Sequence, residues 1–420
     1  MRKYSMNRPI YSLLLVLALP FVPVKLLWRS FKQPEYRQYW AERVGFYNTI
    51  AQKPIIWLHC VSVGETRAVE PLIKALQTQY PRYQILLTHG TPTGRDASEA
   101  LFGNSVQRVY LPYDLPFAVN GFLNHFKPSI GLILETELWF NLIAACKLNN
   151  IPLLLLNARL SEKSAKGYAK LGKLAHEGLQ NLSAIAAQTA DDAGRLQALG
   201  AQNISVKGNL KFDVKPPADS LEKGLQLRQL LGKNRTVFLA GSTREGEEHL
   251  ILEAVKNVDV LTIIVPRHPQ RFNEVEALIK NAGLPYVRRS QLQQPLNKSV
   301  KIVLGDSMGE LFTYYAACDF TFIGGSLLPF GGQNLIEAAS MAKPILIGPH
   351  TFNFAEASKD ALDIGAALQV ADAVSLKGEI IYLASNQAER AKMAQAALDF
   401  SEASTGATAR MMQLITQYLH

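Results

Sequence analysis

Two sets of side chains in this sequence have the types needed to move a proton and to hold an anion. The first set consists of carboxylates and cations that follow short apolar runs. Glu65 lies in Val61-Ser62-Val63-Gly64-Glu65-Thr66, at a glycine turn among apolar neighbours. Such surroundings push a carboxyl pKa upward, toward that of a useful general base. Glu135 and Glu137 share Glu135-Thr136-Glu137-Leu138-Trp139. Arg159, in Asn157-Ala158-Arg159, and Lys211, in Gly208-Asn209-Leu210-Lys211-Phe212-Asp213, supply cations suited to an anionic substrate. Each also has a plainer reading. Glu65 and Glu137 can be acids that complement a helix N-terminus, and the cations can be solvated surface charges.

The second set surrounds a glycine-rich stretch in Cys318–Ala342. An apolar run ends in Gly324-Gly325-Ser326, and Gly331-Gly332 leads into Gln333-Asn334-Leu335-Ile336-Glu337, the opening of a helix. Glycines allow close backbone approach, and helix-start amides attract phosphate. Asn334 and Glu337, three apart, share one face of the first turn and can reach ligand hydroxyls together. Three further loops converge on this stretch: Ser242-Thr243-Arg244, Pro266-Arg267-His268-Pro269 and Gly305-Asp306-Ser307-Met308-Gly309-Glu310. Arg267 can fork onto phosphate oxygens while His268 neutralises them or caps the loop, and the amides around Met308, Gly309 and Glu310 suit a nucleotide. The alternative is an ordinary strand-to-helix turn. Asp306 belongs to no D-x-D pair, which argues against a donor diphosphate held through a divalent metal, and His59, His89 and His125 lack ligand spacing.

Positioning these residues requires strands whose carboxyl ends gather the loops. Apolar runs at Ile55–His59, Gln84–Thr88, Val106–Leu111, Ile130–Leu134, Pro152–Asn157 and Ala184–Gln188 alternate with segments of helical length. A second series runs through Val237–Ala240, Leu261–Val265, Lys301–Leu304, Phe320–Ile323 and Pro344–Ile347. This alternation predicts two doubly wound, Rossmann-like parallel sheets facing a central cleft, with ligands at the strand ends. The expected division is 1–49, a basic membrane-anchoring segment with one helix; 50–214, the first Rossmann-like domain; 215–386, the second; and 387–420, helices packing back on the first domain. The polar break Lys215-Pro216-Pro217-Ala218-Asp219-Ser220 is the expected linker.

A chain of 420 residues, 48% hydrophobic, has room for both cores, and its three separated cysteines argue against a disulfide framework. Its basic excess is local. The first fifty residues hold eight Lys or Arg against two Glu, so six of the nine net positive charges lie there. They flank the apolar run Ile10–Val24, interrupted by Pro20 and Pro23, with Trp28, Tyr36 and Trp40 close by. That pattern suits the anionic cytoplasmic face of a membrane better than a cleaved signal peptide, which would show a small-residue cleavage site. No nucleic-acid module is visible, so nucleic acid is not an expected partner.

In one order, Ser62-Val63-Gly64-Glu65, Glu135-Thr136-Glu137-Leu138-Trp139, Asn157-Ala158-Arg159-Leu160-Ser161, Gly208–Asp213, Pro266–Pro269, Asp306–Glu310 and the glycine stretch resemble the 3-deoxy-D-manno-oct-2-ulosonic acid (Kdo) transferases of lipopolysaccharide biosynthesis. The likeness covers essentially the whole chain. It implies a GT-B fold and metal-independent, inverting transfer from CMP-Kdo to a lipid A precursor, lipid IVA, without a cofactor, at the cytoplasmic face of the bacterial inner membrane. It implies Glu65 as catalytic base, Glu135 and Lys211 in transition-state stabilisation, and Arg267, His268, Met308, Gly309, Glu310, Asn334 and Glu337 in CMP binding. Ser62, Gly64, Arg159, Ser242 and Gly325 are further substrate candidates, with Lys211 or Arg159 expected to meet the Kdo carboxylate. Phe140 replaces the family's usual proline, Gln270 an acidic residue, and Gln333 a residue often histidine; Gln333 can act as neither acid nor base. The rivals are a UDP-sugar epimerase, another nucleotide-sugar transferase, and a catalytically inert membrane-associated binding protein.

Overall fold

Apolar runs buried on both faces become parallel strands here, because no alternating polar side remains to meet water. The computed structural model describes residues 6–31, 33–49, 53–213 and 216–419. Two units divide them: residues up to Asp213 together with those from Thr405 onward, and the residues between.

The first unit holds β1 (Ile55–His59), β2 (Gln84–His89), β3 (Gln107–Tyr110), β4 (Ile130–Leu134), β5 (Leu153–Ala158), β6 (Ala184–Ala187) and β7 (Ile204–Val206). They form one parallel sheet in the order β3-β2-β1-β4-β5-β6-β7. Every residue of β1, β4, β5 and β6 is buried. Alternate side chains feed two cores, one including Ile56, Leu58 and Leu132, the other Trp57, Phe122 and Ile133.

The second unit repeats the plan with β8 (Val237–Thr243), β9 (Leu261–Pro266), β10 (Tyr286–Arg288), β11 (Ile302–Leu304), β12 (Phe320–Ile323), β13 (Ile345–Ile347) and β14 (Ala367–Gln369). Its parallel order is β10-β11-β9-β8-β12-β13-β14. Each sheet thus changes winding direction beside its first strand, between β1 and β4 and between β8 and β12. In doubly wound sheets the crevice outside the carboxyl ends at such a point is where ligands bind.

Both ends of the chain differ from expectation. The helix Gln387–Ser404 belongs to the second unit, and only the helix Ala407–Thr416 packs on the first. Asp213 makes that attachment by accepting from the backbone amides of Gly406 (2.5 Å), Ala407 (3.2 Å) and Thr408. Buried Met411 and Ile415 complete the core under Leu72 and Leu76. At the other end, the single anchoring helix is instead a pair, α1 (Arg8–Ala18) and α2 (Phe21–Ser30), bent by 56° where Leu19-Pro20 interrupts them. Among the described residues no single helix is long and apolar enough to cross a membrane; the bent pair passes only when taken together. Arg2, Lys3 and Lys32 of the basic segment, Ile50 at the expected domain start, and Val214 and Lys215 of the expected linker lie outside the described residues.

Candidate active site

β1 runs out at His59, and Ser62 caps the helix Val63–Ala68 that follows, its Oγ accepting from the Glu65 amide at 3.3 Å. Glu65 reaches back over the cap. Its Oε1 accepts from the Ser62 hydroxyl at 2.8 Å and its Oε2 from the Val61 amide at 2.8 Å. The plain helix-acid reading therefore accounts for part of Glu65, but not for its burial, since only 8% of the residue is exposed. An ionised carboxylate has about four lone-pair sites, so two acceptor positions remain for a substrate proton. Burial raises its pKa most; Val61 and Ser62 pull it back, Glu135 raises it and Lys211 lowers it. Gly64 is exposed in the same turn.

Glu135 follows β4, the strand beside β1, and takes a left-handed conformation (φ 57°). For a residue with a Cβ this costs about 1–3 kcal/mol, and such strain gathers at functional sites. Lys211 Nζ reaches Glu135 Oε1 at 2.9 Å. The loop bearing Lys211 is pinned to the ends of β5 and β6. Asn157 Oδ1 accepts from the Leu210 amide (2.9 Å), Asn209 Oδ1 from the Lys211 amide (2.9 Å), Asn209 Nδ2 donates to Gln188 Oε1 (3.0 Å), and Gln188 Nε2 donates to the Asn157 carbonyl (2.9 Å). These three amide side chains are positioning residues that the sequence reading did not assign; polar side chains at successive strand ends were the available signal. Arg159 is exposed, and among the described residues its side chain makes no hydrogen bond or ion pair.

Glu137 departs from its plain reading. The next helix starts only at Phe140, so Glu137 is not an acid of its first turn. Burial, then the neighbouring Glu65 and Glu135, push its carboxyl up to about 7. The unfolded chain releases this proton near 4.5, whereas the folded chain holds it to about 7, so folded stability falls as pH rises through that window. We expect stability to drop by about 1–3 kcal/mol between about pH 5 and about pH 8 and Glu137→Gln to remove most of the drop, read by urea unfolding at both pH values.

Buried His59 and His89 pack at the β1 and β2 ends. His59 Nδ1 lies 2.9 Å from Thr88 Oγ1, and burial holds its imidazole down near 3, so it stays neutral. His125 meets the Thr49 carbonyl instead.

In the second unit, Ser242, one residue before the end of β8, takes a left-handed conformation (φ 57°) and is 7% exposed. Gly324 passes so close that a Cβ there would lie 2.3 Å from the Ser242 carbonyl oxygen, which leaves no room for any other residue. Fully buried Glu247 fills the space between these loops, accepting from the amides of Arg244 (2.8 Å), Gly325 (2.6 Å) and Leu327 (2.9 Å). The amide of Gly325, a substrate candidate from the sequence, is thus engaged by an internal carboxylate. Asn334 and Glu337 do meet, Nδ2 to Oε1 at 3.4 Å, and both are half-buried. Their helix starts late, at Ile336, whose amide donates to Asn334 Oδ1.

Half-buried Arg267 and exposed His268 follow β9. Burial and then the guanidiniums of Arg244, Arg267 and Arg271 hold the His268 pKa below its ordinary value, so its imidazole is neutral near pH 7. Arg271 is locked onto buried Glu248 (2.6 and 3.1 Å) and onto Glu274 (2.9 Å). Arg244 stacks on Phe330 at 4.6 Å. After β11, Met308 is exposed, Gly309 takes a left-handed turn (φ 78°), and Glu310 pairs with Arg289 at 3.1 Å. Asp306 is held by Ser290.

A family model described as 3-deoxy-D-manno-octulosonic-acid transferase (kdotransferase) matches residues 38–214. Over 99% of its length the chain is 38% identical to the 3-deoxy-D-manno-octulosonic acid transferase of Bordetella pertussis, covering 100% of that protein. It is 37% identical to the Haemophilus influenzae enzyme of the same name, with 99% of each chain covered. Among solved structures, a glycosyltransferase from Rickettsia africae matches with a TM-score of 0.58 over 88% of this chain and 98% of its own; at 16% identity the likeness is one of fold.

Proposed function

Because the chain belongs to the 3-deoxy-D-manno-octulosonic acid (Kdo) transferase family of glycosyltransferases, we propose that it moves Kdo from CMP-Kdo onto lipid IVA, a lipid A precursor, by metal-independent inverting transfer with Glu65 as general base. The observation that carries this reading is the grouping of buried Glu65, strained Glu135 and Lys211 at the winding reversal of the first sheet. In the proposed step Glu65 takes the proton of a glucosamine hydroxyl as that oxygen attacks the anomeric carbon of Kdo. The bond from that carbon to the phosphate oxygen of CMP breaks, and CMP leaves with its electron pair.

The charge that develops on the leaving phosphate calls for donors already in place. Arg244 and Arg267 supply cations and His268, neutral, a hydrogen bond. Asn334 and Glu337 suit the ribose hydroxyls, and Met308, Gly309 and Glu310 the base. Lys211 keeps Glu135 paired and offsets the negative charge beside Glu65, and Lys211 or Arg159 meets the Kdo carboxylate. Glu137, keeping its proton to about 7, spares this cluster a third negative charge. A lipid acceptor fits an enzyme held at the anionic cytoplasmic face of the inner membrane by its bent apolar helix pair.

The test is incubation of purified protein with CMP-Kdo and tetra-acylated lipid A precursor, the product weighed by mass spectrometry, beside parallel reactions given UDP-sugars. A mass gain of whole Kdo units from CMP-Kdo alone is expected. Transfer from, or epimerisation of, a UDP-sugar with no reaction of CMP-Kdo would overturn the assignment.

A further inference from the structure

A surface helix ordinarily turns its apolar stripe inward and its polar face to water. α1 does the reverse. None of its residues is buried, Leu13 and Leu17 are 58% and 62% exposed, and polar side chains hold it to the first unit. Tyr11 donates to Asp114 Oδ2 (2.9 Å) and Ser12 to Asn141 Oδ1 (2.9 Å). Asp114 in turn accepts from the amides of Asn141 and Leu142, so both ties end on the start of the helix Phe140–Leu148. Phe140 completes the joint. Its ring meets Tyr11 edge-on at 5.4 Å, and it packs so tightly on Gly178 that a Cβ there would lie 2.6 Å from the ring. α1 is therefore fixed by directed bonds, with its greasy side left outward.

Beside this joint a groove of about 350 Å³ runs between the helices Phe140–Leu148 and Lys173–Gln180. Phe140, Ala144 and Leu174 line its apolar part, and Leu148, 74% exposed, stands at one end. Arg8 and Lys147 also line it, and among the described residues neither has an ion-pair partner. The one acid in the lining, Glu177, is paired with Lys173 at 3.4 Å. Two cations outside any ion pair, Arg8 with only the more distant field of Asp114, lie beside an apolar channel and next to a helix that shows leucine to its surroundings; together they match a molecule with an anionic head and a hydrocarbon chain.

We propose that this groove seats one anionic phospholipid of the bilayer, its phosphate between Arg8 and Lys147 and an acyl chain along Phe140, Leu174 and Leu148. The inference rests on the membrane-surface reading given above and sharpens it to a site. It gives the first unit a fixed stance on the membrane that supplies its lipid acceptor, and it uses no residue of the catalytic cluster.

Full-length protein is sedimented with vesicles of phosphatidylcholine alone and with vesicles partly replaced by phosphatidylglycerol. Wild type is expected to prefer the anionic vesicles, and Arg8→Gln with Lys147→Gln to weaken that binding about thirtyfold while binding to neutral vesicles is unchanged. Ala144→Trp keeps both charges but fills the channel, and is expected to lose the preference too. Far-UV circular dichroism and urea midpoints show whether each variant is folded. If Ala144→Trp retains the full preference, or the double Gln variant does, the groove does not seat the lipid. Equal binding of wild type to both vesicles overturns the groove and leaves the membrane reading standing, whereas binding to neither overturns both.

Discussion

Glu65→Gln is expected to lower the rate of Kdo transfer about a thousandfold, within the range that a positioned general base contributes, while the protein stays folded. Glutamine fills the same space, its oxygen can still accept from the Val61 amide, and Ser62 still caps the helix, so any loss of stability should stay near that of a weakened cap, about 1 kcal/mol. What glutamine cannot do is take a proton. The Michaelis constant for CMP-Kdo should hardly move, because the residues proposed to grip the nucleotide lie in the other unit. Steady-state transfer with saturating acceptor, alongside urea unfolding, separates the two readings of this residue. A folded variant with undiminished turnover leaves Glu65 as a helix cap and nothing more.

Lys211→Met is expected to reduce turnover about a hundredfold, the order found when one preorganised charge donor is removed, and also to move the pH profile. Lys211 lowers the pKa of Glu65 and pairs with Glu135 at 2.9 Å. Without it Glu65 ionises less readily. The acidic limb of kcat/KM therefore shifts to higher pH, because a larger share of Glu65 stays protonated at any given acidity. A merely structural lysine would lower stability but leave that limb in place. Unchanged turnover together with an unmoved limb removes Lys211 from the reaction.

The strands that position these groups were legible because they are buried throughout. β1 and β4 occupy the runs expected from apolarity alone. β7, β10 and β14 were not, since each is three residues long at or beside a sheet edge and partly exposed, leaving no apolar run to read. The break at Thr405-Gly406, where the chain passes back to the first unit, was hidden inside a continuous helical pattern; Gly406, at φ 89°, was its only mark.

Site residues were legible singly and illegible as pairs. Strand ends followed by glycine or charge pointed to Glu65, Glu135 and Lys211, but the contact between Glu135 and Lys211 spans 76 residues and depends on the order of the strands. Glu137 was misread because its helix was expected to begin too early. Glu247 drew no reading from the sequence, yet its side chain turns back to organise the glycine loop. Phe140 looked like a mere departure from the family and proves to be where α1 is joined.

The most direct test of a single displacement driven by Glu65 is the configuration at the anomeric carbon of the transferred Kdo, read by NMR against that of the CMP-Kdo supplied. One base and one attack require inversion with no Kdo bound covalently to the protein. Retention would mean that a side chain first displaces CMP, and would contradict Glu65 as the base that launches the reaction.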